Sequence, residues 1–170
     1  DRLSDFFAIL SVVQSTCSDT TNVGHSLVRS VGEHVILAED IAAPTGGLNA
    51  DEWRTLGTTL DQVVVPVDTS YFGHYEDIDA NRRVIVLFTQ EVNKLSEGDV
   101  GVQGFFLPLD LASSGRNEEQ VLSTGIRTCP ASNEAEVIYT RVAAPEGQVG
   151  PGISKSEILQ NAPRLVAHEL

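Results

Sequence analysis

Five consecutive apolar residues, Val84-Ile85-Val86-Leu87-Phe88, restrict the fold of this chain more than any other feature. Polar and apolar side chains do not alternate in this run, so a strand formed here would expose apolar groups on any face left open to water. The run is also far shorter than the ~18 residues that a bilayer crossing requires. It therefore predicts a strand at the centre of a sheet that other elements cover on both faces.

Shorter apolar segments predict the rest of the sheet. They lie at residues 6–13, 33–41, 105–109 and 135–142, and the last of them alternates polar with apolar side chains. The polar stretch 113–130 is typical of a surface excursion between two strands. Because the sequence has no internal repeat and no shift in composition, we expect one α+β domain over residues 1–170.

A helix is predicted between the early strands and the apolar run. Asn49 followed by Glu52 fits a capping box, in which each side chain bonds the backbone of the other residue. The apolar residues that follow lie on one helical stripe: Trp53, Leu56, Leu60, Val63 and Val64. We expect this helix to end before Pro66, because proline lacks the amide donor that a helix interior needs.

The end of the chain predicts two short helices. Ser154 and Glu157 form a second capping-box pattern, and Pro163 fits the first turn of a new helix capped by Asn161. Only about two turns of that second helix precede Leu170, fewer than the ~12 residues of a marginally stable isolated helix. We therefore expect this element to continue in a longer protein.

Composition excludes some classes of function. The formal net charge is −13, and no basic stripe offsets it, so nucleic acid is not an expected partner. No segment is long and apolar enough to predict a membrane span. The 170 residues include no methionine, which is expected of an excerpt and leaves the question of a signal peptide open.

Two cysteines, Cys17 and Cys129, leave two interpretations open. One disulfide between them would close a loop of more than 100 residues, which contributes about 4–5 kcal/mol in the chain-entropy model. The alternative is two separate thiols.

The dipeptide His168-Glu169 is the main candidate for catalytic chemistry. In the zinc-peptidase motif H-E-x-x-H, histidines four residues apart share one helix face, and the glutamate can take a proton from metal-bound water. Only the first half of that motif is present. On its own, the pair is a weak signal, and an ordinary pair on a helix surface is the favoured interpretation.

The chain resembles the hyicolysin-like family of secreted bacterial zinc metallopeptidases over residues 25–170. The segments that carry the resemblance, in chain order, are Tyr71-Phe72-Gly73, Asp77-Ile78-Asp79-Ala80-Asn81, Val84-Ile85-Val86-Leu87-Phe88, Gly104-Phe105-Phe106, Cys129-Pro130-Ala131-Ser132-Asn133-Glu134-Ala135-Glu136 and Leu165-Val166-Ala167-His168-Glu169-Leu170.

The resemblance implies a zincin-like α+β fold, with a twisted mixed sheet packed on helices. It also implies a secreted metalloendopeptidase that binds Zn²⁺, with His168 as the first zinc ligand, Glu169 as the general base and a protein or peptide as substrate. The family's second histidine and later glutamate have no counterparts here, so we expect the isolated chain to be inactive and to bind no stoichiometric zinc. The alternative is a noncatalytic secreted binding or adhesin-type module, in which His168 and Glu169 are surface groups.

Asp77, Asp79 and Asn81 fit the first three ligand positions of a calcium loop. Arg82 then occupies the position that favours glycine, and Phe88 stands where a bidentate glutamate is expected. A polar turn leading into the buried strand explains the same residues at least as well, so the sequence does not favour calcium.

Overall fold

The computed structural model describes residues 3–7, 23–95, 101–114, 129–145 and 148–170. Within them the chain has an α+β fold with one six-stranded mixed sheet in the order β1-β2-β3-β4-β6-β5. The strands are β1 (Leu3–Phe7), β2 (Val23–Val31), β3 (Val35–Asp40), β4 (Val84–Phe88), β5 (Gly104–Phe106) and β6 (Val137–Thr140). The helices are α1 (Ala50–Thr59), α2 (Val65–Phe72), α3 (Gln90–Lys94) and α4 (Lys155–Glu169).

Strand β4 lies inside the sheet, as its composition predicts. It pairs in parallel with β3 on one side and with β6 on the other, whereas the remaining pairs are antiparallel. Val84, Val86 and Phe88 belong to the larger apolar core, which includes residues of α1 and α4. Leu87 faces a second apolar cluster on the opposite side of the sheet. Both faces of β4 are therefore covered.

The predicted capping box at the start of α1 is confirmed. The Asn49 side chain accepts a hydrogen bond from the Glu52 amide at 2.9 Å, and the Glu52 carboxylate accepts one from the Asn49 amide at 2.7 Å. Helix α1 buries Trp53, whose ring meets that of Phe88 edge to face at 4.9 Å. The cap thus begins a helix that covers β4.

The prediction that this helix ends before Pro66 is wrong. A π-helical segment, Leu60–Val64, follows α1 and leads directly into α2. The Val65 amide bonds the Leu60 carbonyl, five residues back, so Pro66 follows a widened turn. Pro66 stands in the first turn of α2, directly after this widened turn, where the regular i−4 hydrogen-bond ladder is already interrupted. At the other end of α2, Phe72 is 83 % exposed.

The end of the chain forms one helix and not the two predicted. Helix α4 begins at the confirmed Ser154–Glu157 capping box and runs through Pro163 to Glu169. An interior proline costs about 3 kcal/mol. The buried residues Ile158 and Val166 lie on either side of Pro163 and pack into the same core, so burial of this face keeps the helix continuous.

Strands β5 and β6 are shorter than predicted. Residues Pro108–Leu111 form a 3-10 turn that ends β5 early. All four residues of β6 are buried, so the alternation predicted there is wrong: β6 has a neighbouring strand on each side and apolar clusters on both faces. Residues 8–13 of the first predicted strand lie outside the described residues. Strand β2, which the sequence did not predict individually, pairs with β1 and β3.

Cys129 is disulfide-bonded and buried. The only other cysteine of the sequence is Cys17, which lies outside the described residues. Most of the predicted excursion 113–130 also lies outside them; of its described residues, Ser114 and Cys129 are buried and Pro130 is exposed. Among the described helices, none has the length and apolar character to span a membrane.

Replacing Leu37 by alanine should destabilise the chain by about 2–5 kcal/mol, because Leu37 is completely buried in the larger core and leaves a cavity. Urea unfolding monitored by circular dichroism measures this free energy. Ile41→Ala is the matched control: Ile41 is 54 % exposed, and the expected change is within about 0.5 kcal/mol. Equal losses in both variants would contradict the core assignment.

Candidate functional site

The last turn of α4 carries both residues of the predicted zinc motif. His168 is exposed and Glu169 is half-buried. The Glu169 Oε2 atom accepts a hydrogen bond from the Phe106 backbone amide at 3.0 Å. Phe106 belongs to β5, which ends the described sheet beside β6. The candidate base therefore lies against an edge strand, while the candidate ligand faces solvent.

Close packing between α4 and β5 makes this contact possible. A Cβ atom added to Gly104 would lie only 2.3 Å from Leu165 Cδ2 and from the Tyr139 carbonyl oxygen. Glycine at this position thus lets the edge strand approach both the helix and its neighbouring strand.

A cavity of about 170 Å³ lies beside Glu169. Its lining combines apolar side chains with three carboxylates and one phenol, from Tyr75, Glu76, Val84, Phe106, Leu111, Glu136, Ile138, Glu169 and Leu170. His168 lines neither this cavity nor the other described ones. The larger cavity of about 440 Å³ lies at the opposite end of α4, where Ser154 and Glu157 are engaged in the capping box.

Tyr75 forms one wall of the smaller cavity. Its hydroxyl donates to the Arg82 carbonyl at 3.2 Å. Burial raises the pKa of Tyr75, and the negative charges of Asp77 and Glu136 raise it further. The phenol is therefore neutral at physiological pH and offers a hydrogen-bond donor.

Glu136 is the acidic residue that sequence reasoning missed. It immediately precedes β6 and is only 4 % exposed. Its Oε1 atom accepts a hydrogen bond from the Ile78 amide at 2.7 Å, whereas Oε2 is buried and has no partner in the part of the chain that the structure describes. Burial raises the pKa of Glu136. In the sequence this glutamate stands between Ala135 and Val137, where the alternating pattern predicts the polar face of a strand.

Glu136 forms an acidic cluster with Asp77 and Asp79. One carboxylate oxygen from each residue lies within 4.8 Å of the other two. The two aspartates also order the loop: Asp77 accepts from the Arg82 amide at 2.9 Å, and Asp79 accepts from the Asn81 amide at 3.0 Å. We call Asp77, Asp79 and Glu136 the acidic triad.

A second buried acid, Asp110, holds the motif around Cys129 in place. Its carboxylate accepts from the Tyr139 hydroxyl at 2.6 Å and from both the backbone and side-chain amides of Asn133 at 3.0 Å. The Ser132 hydroxyl donates to the Asp110 carbonyl, also at 3.0 Å. Burial raises the pKa of Asp110, although the hydrogen bonds that Tyr139 and Asn133 donate to its carboxylate oppose the shift. The network is structural, because Asp110 is completely buried.

The donor atoms described here do not complete a zinc site. Catalytic zinc takes three protein ligands and a water molecule. In the described part of the chain, the group of three or more histidine, cysteine or acidic side chains close enough to share an ion is the acidic triad, which does not include His168. His25, His34 and His74 likewise belong to no such group.

Comparison with protein-family models finds no match for this chain, and comparison with curated proteins finds none either. The functional assignment therefore depends on the residues themselves.

The variant Asp110→Asn tests the buried network through the pH dependence of the free energy of unfolding. The pKa of Asp110 in the folded chain is raised above its ordinary value of 3.8. The folded state therefore holds this proton more tightly than the unfolded state. The stability that results is complete below pH 3.8 and is lost as pH rises through the raised pKa. The native chain should therefore lose stability relative to the variant as pH increases from about 4 towards neutrality. Urea unfolding of both proteins across this range gives the difference.

Asp51→Asn removes the same charge from an exposed site on α1 and serves as the control. A stability advantage of the native chain over Asp110→Asn that grows with pH would contradict the direction assigned to this pKa.

Proposed function

We propose that this chain is the N-terminal part of the catalytic domain of a secreted, zinc-dependent metalloendopeptidase of the hyicolysin-like type. In this proposal His168 is a zinc ligand and Glu169 is the general base. The observation that supports it best is the position of Glu169, whose carboxylate contacts the edge strand β5 at Phe106 and lines the adjacent cavity.

An edge strand beside the candidate base is consistent with peptide binding. A strand with one unpaired edge can accept an extended peptide as an additional strand through main-chain hydrogen bonds. Among the described strands, β1 and β5 form the edges of the sheet, and of these β5 contacts α4. We propose that substrate adds along β5, which the sequence alone did not identify. This arrangement also supports a zincin-like architecture.

The proposed roles of His168 and Glu169 differ in what they require. Glu169 already has a carboxylate oxygen oriented by the Phe106 amide, and as a base it would exchange this contact for a water molecule. His168 is exposed and available to a metal, but one histidine cannot retain catalytic zinc. The activity would therefore belong to a longer protein that supplies the other ligands.

Zinc titrated into the purified 170-residue chain should give no tight, stoichiometric binding through His168, because two further protein ligands are lacking. Isothermal titration calorimetry of the chain and of His168→Ala should give the same weak signal. Tight one-to-one binding that disappears in His168→Ala would contradict this prediction and would show that the chain itself completes the site.

In the longer protein, Glu169→Gln should lower kcat/KM for a fluorogenic peptide by at least ~100-fold, the range expected when a general base is removed. Zinc content should stay unchanged, because Glu169 is not proposed as a ligand. Glutamine keeps an oxygen that can accept from Phe106, so loss of folding is not expected to explain the effect.

Glu33→Gln removes the same charge from the exposed turn between β2 and β3 and should retain full activity. A zinc-loaded longer protein in which Glu169→Gln and the native chain hydrolyse peptides equally would overturn the proposal.

A noncatalytic secreted binding module is the second candidate. The observation in its favour is that His168 is exposed and lines none of the described cavities. A longer protein that lacks both zinc and peptidase activity would support this candidate.

A further inference from the structure

The acidic triad brings together carboxylates from separate parts of the chain. Asp77 and Asp79 lie on the loop that precedes β4, and Glu136 lies immediately before β6. Among the ion pairs of the described residues, none includes a member of the triad. Three carboxylates within 4.8 Å of one another repel unless a cation or protons compensate them.

The independent indication of a ligand is the buried oxygen of Glu136. Its side chain is oriented towards the loop, because Oε1 accepts from Ile78, the residue between the two aspartates. The second oxygen, Oε2, is buried and has no hydrogen-bond partner among the described residues. A carboxylate oxygen that loses its water without gaining a partner is costly. A cation that the triad binds through this oxygen would remove that cost.

Glu136 also supplies the acid that the linear loop pattern lacks. In a conventional calcium loop a glutamate at the twelfth position completes the ligands, and here Phe88 stands at that position. Arg82, at the position that favours glycine, has φ +61° and adopts the left-handed conformation required there. Both departures that argued against calcium from sequence are thus compensated by the fold.

The chemistry of the donors favours calcium over other ions. All three are carboxylates, with no nitrogen or sulfur donor among them, which selects hard cations such as calcium and magnesium. Calcium accepts irregular oxygen geometry at about 2.3–2.6 Å, which allows ligand atoms to stand up to about 5 Å apart, whereas magnesium requires near-ideal octahedra. Two of the three residues are exposed, so water can fill the remaining positions.

We propose that Asp77, Asp79 and Glu136 bind one calcium ion, which ties the loop before β4 to the start of β6. This site is independent of the proposed peptidase activity. Because Glu136 also lines the cavity next to Glu169, the ion would hold that wall in place.

The test is calorimetric titration of calcium into the chelator-treated chain, together with thermal melts with and without calcium. We expect one ion per chain and a higher melting temperature, because the ion binds the folded state. Glu136→Gln and Asp79→Asn should each weaken binding by at least ~10-fold, since affinity follows ligand charge. Asp79 is exposed, so Asp79→Asn keeps the test valid if Glu136→Gln does not fold.

Glu76→Gln is the matched control: it removes the same charge from the same loop, but Glu76 is not in the triad. The calcium affinity of this variant should stay within about threefold of the native value. No binding at about 5 mM calcium, beyond the weakest natural sites, would overturn the proposal. Unchanged binding in both triad variants would also overturn it, and equal affinity for magnesium would overturn the choice of calcium.

Discussion

Burial of β4 on both faces is the constraint on which the rest of the structure depends. Parallel pairing with β3 and β6 places this strand inside the sheet, where a solvated face would expose the apolar side chains of Val86 or Leu87. The layer formed by α1, the π-helical segment and α4 covers one side, and a second cluster covers the other. The route of the chain follows from this need, including a helix that continues past Pro66 and another that continues past Pro163.

Buried hydrogen bonds then hold the loops at the ends of these strands. The Asn93 side chain donates to the Val142 carbonyl and accepts from its amide, both at 3.0 Å, so α3 is joined to the segment after β6. Thr89 donates to Asp40 at 2.7 Å and links the ends of the parallel strands β4 and β3. Asp110, in the turn after β5, accepts hydrogen bonds from Asn133 and from Tyr139 of β6 and so joins that turn to them. Such bonds are worth more in a dry interior because the alternative is an unsatisfied polar group.

The candidate site lies where the apolar core meets the loops that hydrogen bonds hold in place. Helix α4 packs its apolar face on the core, and its last turn reaches the edge strand β5, where Glu169 contacts Phe106. Glu136, at the start of β6, faces the same cavity from the sheet. The proposed base lies beside an edge strand of the described sheet, as peptide hydrolysis would require, and the proposed ion site contributes one of its three acids, Glu136, to the lining of the same cavity.

The sequence by itself determined the α+β class, the buried strand β4 and both capping boxes, because each depends on side chains that are close together in the chain. It also identified His168 and Glu169 as neighbours on a helix, but not their different exposure. Only the tertiary structure decided the single helix α4, the edge strand beside Glu169 and the approach of Glu136 to Asp77 and Asp79. Those features depend on residues up to 63 positions apart, and local patterns carry no information about which distant elements pack together.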